Sequence, residues 1–161
     1  MDVADAEFEE LVAVALDGIP DQLTLLREDQ SRWPNAVDEI LRYDPPVLLT
    51  GRTSMRPTTI AGEPVPRGTL VTTLLAGANR DPNVFANPDR FDVTRANAKD
   101  HVSFSAGRHF CLGAALARME GEVGLRTLFE RYPNLRTLPG ARRRETRILR
   151  GYETLPVSLR G

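Results

Sequence analysis

The sequence predicts a mainly α-helical protein with a small β-sheet (α+β), and three observations support this. Apolar residues recur at helical spacing in the first 43 residues. From Val47 the chain becomes rich in Thr, Val, Leu and Ile between turn residues, which is typical of short strands. Helical spacing then returns after Cys111. We therefore expect helices first, then a small sheet, then a long helix, in a single domain over residues 1–161.

Three helices are predicted in the first part of the chain. The second, PDQLTLLRED, begins at Pro20, because proline suits the first turn of a helix. The third, PNAVDEILRY, begins at Pro34 and must end before Pro45 and Pro46. The first helix is predicted from an apolar face at helical spacing, formed by Phe8, Leu11, Val12, Ala15 and Leu16.

Strands and loops are expected in the middle and at the end of the chain. LLTGRTS, TTIAG and GTLVTTLL are predicted strands, and GANRDPNVFANPDRFD is a predicted irregular loop. The tail ARRRETRILRGYETLPVSL predicts two short strands about Gly151, preceded by a basic run. Between loop and tail lies the long helix, which ends at Tyr132–Pro133 and whose predicted apolar face is Leu112, Leu116, Met119 and Val123.

Composition and charge exclude several classes of protein. The formal net charge of -1 gives no electrostatic reason to expect a nucleic-acid partner. The single cysteine excludes an internal disulfide and a multi-cysteine zinc site, and it suits a reducing compartment. No apolar run is long enough to span a membrane, and the acidic start MDVADAEFEE is unlike a signal peptide. We therefore expect a cytoplasmic protein without a membrane partner.

The only cysteine, Cys111, lies in the stretch HVSFSAGRHFCLGAALARME, between a glycine-containing loop and the start of the long helix. A helix N-terminus stabilises a thiolate. Gly107 and Gly113 flank the cysteine and permit unusual backbone angles or the close approach of a flat ligand. Three interpretations remain open: a small buried hydrophobe, a nucleophile paired with His101 or His109, and an axial ligand of haem iron. The nucleophile is the weakest, because residues two apart on a helix do not face each other.

The segment FSAGRHFCLG, residues 104–113, resembles the haem-binding loop of the cytochrome P-450 family. It contains the aromatic residue, the first glycine, the basic residue, the cysteine and the last glycine of that loop. Two further segments match the family in the right order, EILR at 39–42 and NPDRF at 87–91. The resemblance runs from about Ile19 to Leu159 and is strongest to soluble bacterial members. It implies the C-terminal half of that fold, without the N-terminal and distal helices.

The resemblance also implies a buried ionic network. Glu39 and Arg42, three residues apart on a helix, share a face and can pair. Arg90, in the NPDRF segment, is implied to complete a Glu-Arg-Arg cluster with them. Its role would be to lock the loop that carries Cys111, since buried ion pairs contribute more to specificity than to net stability.

The implied cofactor is haem b, with Cys111 as the axial iron ligand. Phe104 would pack near the sulfur, and Gly107 and Gly113 belong to the same loop. Arg52, in the first predicted sheet, and His109 are implied to bind the two haem propionates.

The implied reaction is the insertion of one oxygen atom from O2 into a small hydrophobic organic substrate, with electrons from a donor such as a ferredoxin. The basic run at 142–144 is either a solvated turn or a docking surface for such a donor. Candidate substrate contacts, which fit an ordinary core equally well, are Leu48, Leu49, Ile148 and Leu149.

One expected feature of the family is missing from the sequence. The acid–alcohol pair that relays protons to bound dioxygen should fall near Val3–Ala4, and there is no threonine before Thr24. No catalytic side chain is therefore identified. Two functions remain open: a monooxygenase or its C-terminal part, and a non-catalytic haem-binding remnant or half-protein that needs a complementing chain.

Overall fold

The computed structural model describes residues 20–146 and 148–159. The predicted first helix and the Val3–Ala4 position lie outside these residues. Helix α1 spans Pro20–Glu28 and helix α2 spans Trp33–Tyr43, as the sequence predicts to within one residue. A short 3-10 turn, Gln30–Arg32, joins them, and the Asp29 carboxylate caps it by accepting the Ser31 backbone N–H at 3.1 Å.

Helix α2 forms the centre of the core. A short helix, α3, spans Leu75–Ala78, and the long helix, α4, spans Ala114–Arg131. Helix α2 packs against α4. The rings of Trp33 and Phe129 stack across this interface with 6.1 Å between centroids. The buried residues of α2 are Trp33, Ala36, Val37, Glu39, Ile40, Leu41 and Arg42.

The predicted apolar face of α4 is wrong. Leu112 is fully exposed, and Leu116, Met119 and Val123 are about half exposed. The residues of α4 that face the core are instead Ala114, Gly121, Leu125 and Phe129. Both sets follow helical spacing, so α4 carries two apolar stripes, and only one of them packs against the described part of the chain.

The predicted small sheet consists of four two-stranded antiparallel pairs. In the first pair, Leu49 lies opposite Leu74 and Thr53 lies opposite Leu70. The predicted strand TTIAG turns at Ala61 and Gly62, both with positive φ, into a further strand that the sequence analysis did not predict. The pairs are β1 (Leu49–Thr53) with β4 (Leu70–Leu74), β2 (Thr58–Ile60) with β3 (Glu63–Val65), β5 (Arg136–Thr137) with β8 (Val157–Ser158), and β6 (Arg142–Arg143) with β7 (Tyr152–Thr154).

An irregular segment links the β1–β4 pair to α4. After α3 the chain contains only two short 3-10 turns, Ala98–Asp100 and Gly107–His109, before α4 begins. The irregular loop predicted for residues 77–92 is confirmed, apart from the end of α3. Among residues 20–146 and 148–159, no helix is long and apolar enough to cross a membrane.

Candidate functional site

A cleft of about 380 Å³ opens between α2, β1 and the N-terminal half of α4. This is the size range of small-molecule sites in proteins. Five of the candidate cofactor-binding residues line it, and its wall is otherwise mostly apolar, with Glu120 as its acidic side chain. Those five residues are Arg52, Phe104, His109, Cys111 and Gly113.

Cys111 is exposed in this cleft rather than buried in the core. This excludes the interpretation of Cys111 as a small buried hydrophobe. In the described part of the chain no hydrogen bond joins its sulfur to His109, and His101 is engaged elsewhere, so the geometry does not support a paired nucleophile. The remaining interpretation, a sulfur that can bind a metal centre held in the cleft, fits the exposure of Cys111.

The backbone of the cysteine loop is fixed by a short-range hydrogen bond. The backbone N–H of Cys111 donates to the Phe104 carbonyl at 2.9 Å, which closes residues 104–111 into a ring. Inside this ring Ser105 and Gly107 adopt positive φ angles of 62° and 64°. Gly107 therefore serves the turn itself, since a positive φ disfavours residues with a β-carbon.

The long helix begins later than the sequence suggests. Its first residue is Ala114, and Gly113 is the N-cap, so Cys111 precedes the helix rather than opening it. Gly113 has an ordinary φ of -82°. A β-carbon built there would lie 3.8 Å from the Cys111 sulfur, so this glycine leaves free the space beside the thiol.

Arg52 and His109 also contribute to the cleft wall. Arg52 is half-buried on β1 and donates to the Gly51 carbonyl at 2.7 Å, while His109 is exposed at the end of the 3-10 turn. The two side chains supply hydrogen-bond donors at the wall of an otherwise apolar cleft, which suits a flat apolar ligand with acidic groups at its edge. The exposed cysteine on the same wall fits a haem.

The buried ionic cluster on α2 differs from the expected one in its third member. The Glu39 carboxylate accepts from Arg42 Nε at 2.7 Å, and both side chains are fully buried. The other arginine on Glu39 is Arg95, whose Nε lies 3.1 Å from both carboxylate oxygens. The Arg90 side chain is exposed, and only its backbone carbonyl joins the cluster, as an acceptor for Arg42 and Arg95. The assignment of Arg90 is corrected to Arg95, five residues later in the same loop.

Asn79 connects this cluster to the cysteine loop. Its backbone carbonyl accepts from Arg42 at 2.9 Å. Its buried side chain donates to the Ser103 hydroxyl at 2.7 Å and accepts the Val102 N–H at 2.8 Å. The segment GANRDP carries the turn signals of a loop, and nothing in its pattern indicates a buried link of this kind.

A second, partly buried cluster, which the sequence analysis missed, is centred on Asp38, the residue before Glu39 on α2. Asp38 Oδ1 is 3.2 Å from His101 Nε2 and accepts from Arg118 Nε at 2.7 Å. Burial raises the pKa of Asp38, but the hydrogen bonds from His101 and Arg118, together with the charge of Arg118, outweigh it and hold the pKa below its usual value. Asp38 is therefore ionised at neutral pH.

The predicted substrate contacts meet each other but not the cleft. The backbone N–H of Leu48 donates to the Ile148 carbonyl at 2.9 Å, and Leu149 pairs with Val47 in an isolated bridge. Val47, which precedes Leu48 and is not among the predicted contacts, does line the cleft. None of the four lines the cleft: Leu48 and Leu49 are half-buried, and Ile148 and Leu149 are 53% and 41% exposed, so their role as substrate contacts stays a prediction.

The basic run at 142–144 folds back on the protein. Arg142 pairs with Glu153 at 2.7 Å, and the Arg143 guanidinium lies 4.7 Å from the centre of the Tyr152 ring. Arg144 donates to the Tyr152 carbonyl at 3.1 Å. All three arginines thus have partners within the tail, and Arg142–Arg143 form strand β6 rather than the expected solvated turn.

Comparison with known proteins gives a consistent result. The Cytochrome P-450 family model matches residues 33–146. A putative cytochrome P-450 of Mycobacterium tuberculosis is 53% identical over 160 residues, which cover 96% of this chain and 36% of the relative. The 6-deoxyerythronolide B hydroxylase of Saccharopolyspora erythraea is 47% identical over 145 residues, with 88% and 36% covered. The chain thus spans about a third of the length of these relatives.

Solved structures show the same relationship. A P-450 in complex with an acyl carrier protein that carries hexadec-9Z-enoic acid superposes with a TM-score of 0.90 and 38% identity, over 97% of this chain and 40% of that one. The P-450 PksS of the bacillaene polyketide synthase of Bacillus subtilis gives 0.91 and 32%, over 100% and 42%. The matched fold, the family model and the relatives agree, and the chain belongs to the cytochrome P-450 family.

Proposed function

We propose that this chain is the cysteine-bearing part of a haem-thiolate monooxygenase, and that Cys111 is the axial ligand of the iron of haem b. The observation that carries the proposal is the exposure of the chain's only thiol in an apolar cleft that Arg52 and His109 also line. Haem held there supplies the activation of O2 for insertion of one oxygen atom into a small hydrophobic organic substrate. Electrons come from a donor protein such as a ferredoxin.

The residues of the chain have separate tasks in this proposal. Cys111 supplies the sulfur, and the ring closed by its N–H on the Phe104 carbonyl fixes where that sulfur lies. Phe104 packs against the core beside the loop and limits the access of water to the sulfur. Arg52 and His109 bind the acidic edge of the ligand, and Gly113 leaves room beside the thiol.

The first test is the absorption spectrum of the purified chain after addition of haem, reduction and exposure to carbon monoxide. A strongly red-shifted Soret band is expected, because a thiolate donates electron density to the iron. Cys111→Ala should lose that band. Arg52→Ala should keep the band but weaken haem binding by roughly tenfold, since one charge-assisted hydrogen bond is lost. Failure to take up haem, or a Soret band typical of histidine or free haem, contradicts the proposal.

A second candidate function is a haem-binding module that works only with a complementing chain. The observation that favours it is the exposed apolar stripe on α4, where Leu116 borders the cleft, and the fully exposed Leu112 just before that helix. A module of this kind would show the thiolate spectrum but no substrate oxidation with a ferredoxin and its reductase. Oxidation by the chain alone would exclude it.

A further inference from the structure

The segment that carries Cys111 is held at both ends by one carboxylate oxygen. At its start, His101 Nε2 lies 3.2 Å from Asp38 Oδ1. Beyond it, on α4, Arg118 Nε donates to the same oxygen at 2.7 Å. The segment from residue 101 to residue 118, which contains Cys111, is therefore bound at each end to the same oxygen atom of Asp38 on α2.

The hydrogen bonds also settle which nitrogen of His101 carries the proton. The Ser103 backbone N–H donates to His101 Nδ1 at 3.1 Å, so Nδ1 is an acceptor. Nε2 must then carry the proton and donate it to Asp38. The side chain is fully buried and held at both nitrogens, so its ring has one orientation.

This ring and the arginine together contact Phe104. The centre of the Phe104 ring is 5.7 Å from that of His101. The Arg118 guanidinium carbon lies 4.8 Å from the same ring, in a cation–π contact. Phe104 in turn accepts the backbone N–H of Cys111 at 2.9 Å. Asp38 is thus connected to Cys111 through the side chains of His101 and Arg118, which both contact the Phe104 ring, and through the backbone hydrogen bond between Phe104 and Cys111.

We propose that Asp38 is a positioning residue for Cys111, acting through a clasp formed by Asp38, His101 and Arg118. The Asp38 side chain is 14% exposed and that of Arg118 is 33% exposed, so this pair is better shielded than a surface ion pair. The Glu39 cluster on the next residue holds the loop at residues 79–95, and the clasp holds it at residues 101–118. The part of the proposal that concerns iron rests on the function proposed above, whereas the clasp itself does not.

Hydrogen exchange of the haem-free chain, read by mass spectrometry, tests the clasp. Asp38→Asn keeps the size of the side chain and removes its charge. We expect exchange of the segment at residues 101–111 to become about tenfold faster, since a hydrogen bond to a charged group is lost. Peptides of the β1–β4 pair should keep their protection. The matched control is Glu122→Gln, which removes a carboxylate that pairs with Arg126 at 3.8 Å on the same helix α4.

The outcomes of this experiment are distinct. Unchanged exchange at residues 101–111 would overturn the proposal, and so would an equal increase across the whole chain, which indicates only a general loss of stability. If Asp38→Asn does not fold, Arg118→Gln opens the clasp from its more exposed side and is judged by the same two criteria.

The haem-loaded chain gives a readout that a purely structural role does not move. Asp38→Asn should shift part of the reduced carbon monoxide complex to a shorter-wavelength Soret band, because the sulfur is no longer held on the iron. Asp38→Glu, which keeps the charge, should retain the thiolate band. A full thiolate band in Asp38→Asn would refute the positioning role. If even the unaltered chain lacks that band, the haem proposal fails, while the exchange experiment still decides the clasp.

Discussion

At the scale of single residues, the identity of the third side chain in the Glu39 cluster depends on geometry that has no periodic signal. Arg90 and Arg95 lie five residues apart in one irregular loop. A helix or strand pattern would have shown which of them points inward, but a loop has no such pattern. The pair Glu39–Arg42 could be predicted because helical spacing places both on one face.

The corrected cluster makes a prediction that separates these two arginines. Arg95→Ala removes a nearly buried guanidinium that contacts both oxygens of Glu39, and should lower the free energy of unfolding by about 3 kcal/mol. Arg90→Ala removes an exposed side chain and should change it by less than about 0.5 kcal/mol. Urea unfolding followed by the fluorescence of Trp33, the chain's only tryptophan, measures both. Equal losses in the two variants would restore Arg90 to the cluster.

At the scale of elements, helix α4 shows the limit of reading periodicity from sequence. Its existence and its end at Arg131 could be predicted, because apolar spacing and Tyr132–Pro133 mark them. The choice of face could not, because two stripes have helical spacing and only packing decides between them. The stripe selected from the sequence contains only large side chains, whereas the core stripe includes the small residues Ala114 and Gly121 beside Leu125 and Phe129 and has a weaker apolar signal.

Substitutions in the two stripes of α4 should differ strongly in their effect on the free energy of unfolding. Met119→Gln and Val123→Gln change half-exposed side chains, so the free energy of unfolding of this chain should move by less than about 0.5 kcal/mol. Leu125→Ala empties a fully buried position and should cost about 2–5 kcal/mol. Chemical unfolding of the three single variants decides the matter. A large loss in Met119→Gln would mean that the exposed stripe is covered by this chain in solution.

At the scale of the whole molecule, fold class and element order could be predicted, because hydrophobic periodicity and turn residues encode them locally. The haem loop also has a local signal, since its anchors lie within residues 104–113. The clasp and the Asn79 link could not be predicted, because they join residues far apart in sequence. Asp38 and Arg118 are 80 positions apart, and no local pattern records such a pairing.

Acid stability is a property of the whole molecule, and two partly buried carboxylates contribute to it. Burial raises the pKa values of Asp38 and Asp92, but hydrogen bonds and nearby arginines outweigh it, so both folded values lie below 3.8. At a pH between the folded and the unfolded pKa of each group, the unfolded chain binds more protons than the folded chain. The stability that these two carboxylates contribute is therefore fully present above about pH 4. It is lost as pH falls through the folded pKa values. Thermal unfolding between pH 6 and 3 should show a shallower decline for Asp38→Asn. Parallel curves would contradict this account.

Asp38 and Glu39 are neighbours in the chain, and each holds an arginine from a different later segment. With 3.6 residues per turn they point about 100° apart, so a single rotation of α2 places both carboxylates. Inserting or deleting one residue between Trp33 and Asp38 would turn both by that angle and release Arg95 and Arg118 together. A change of chain length in this part of α2 would therefore disturb both ionic clusters at once. The turn at Ala61–Gly62 is exposed and holds neither cluster, so an insertion there should leave both clusters intact.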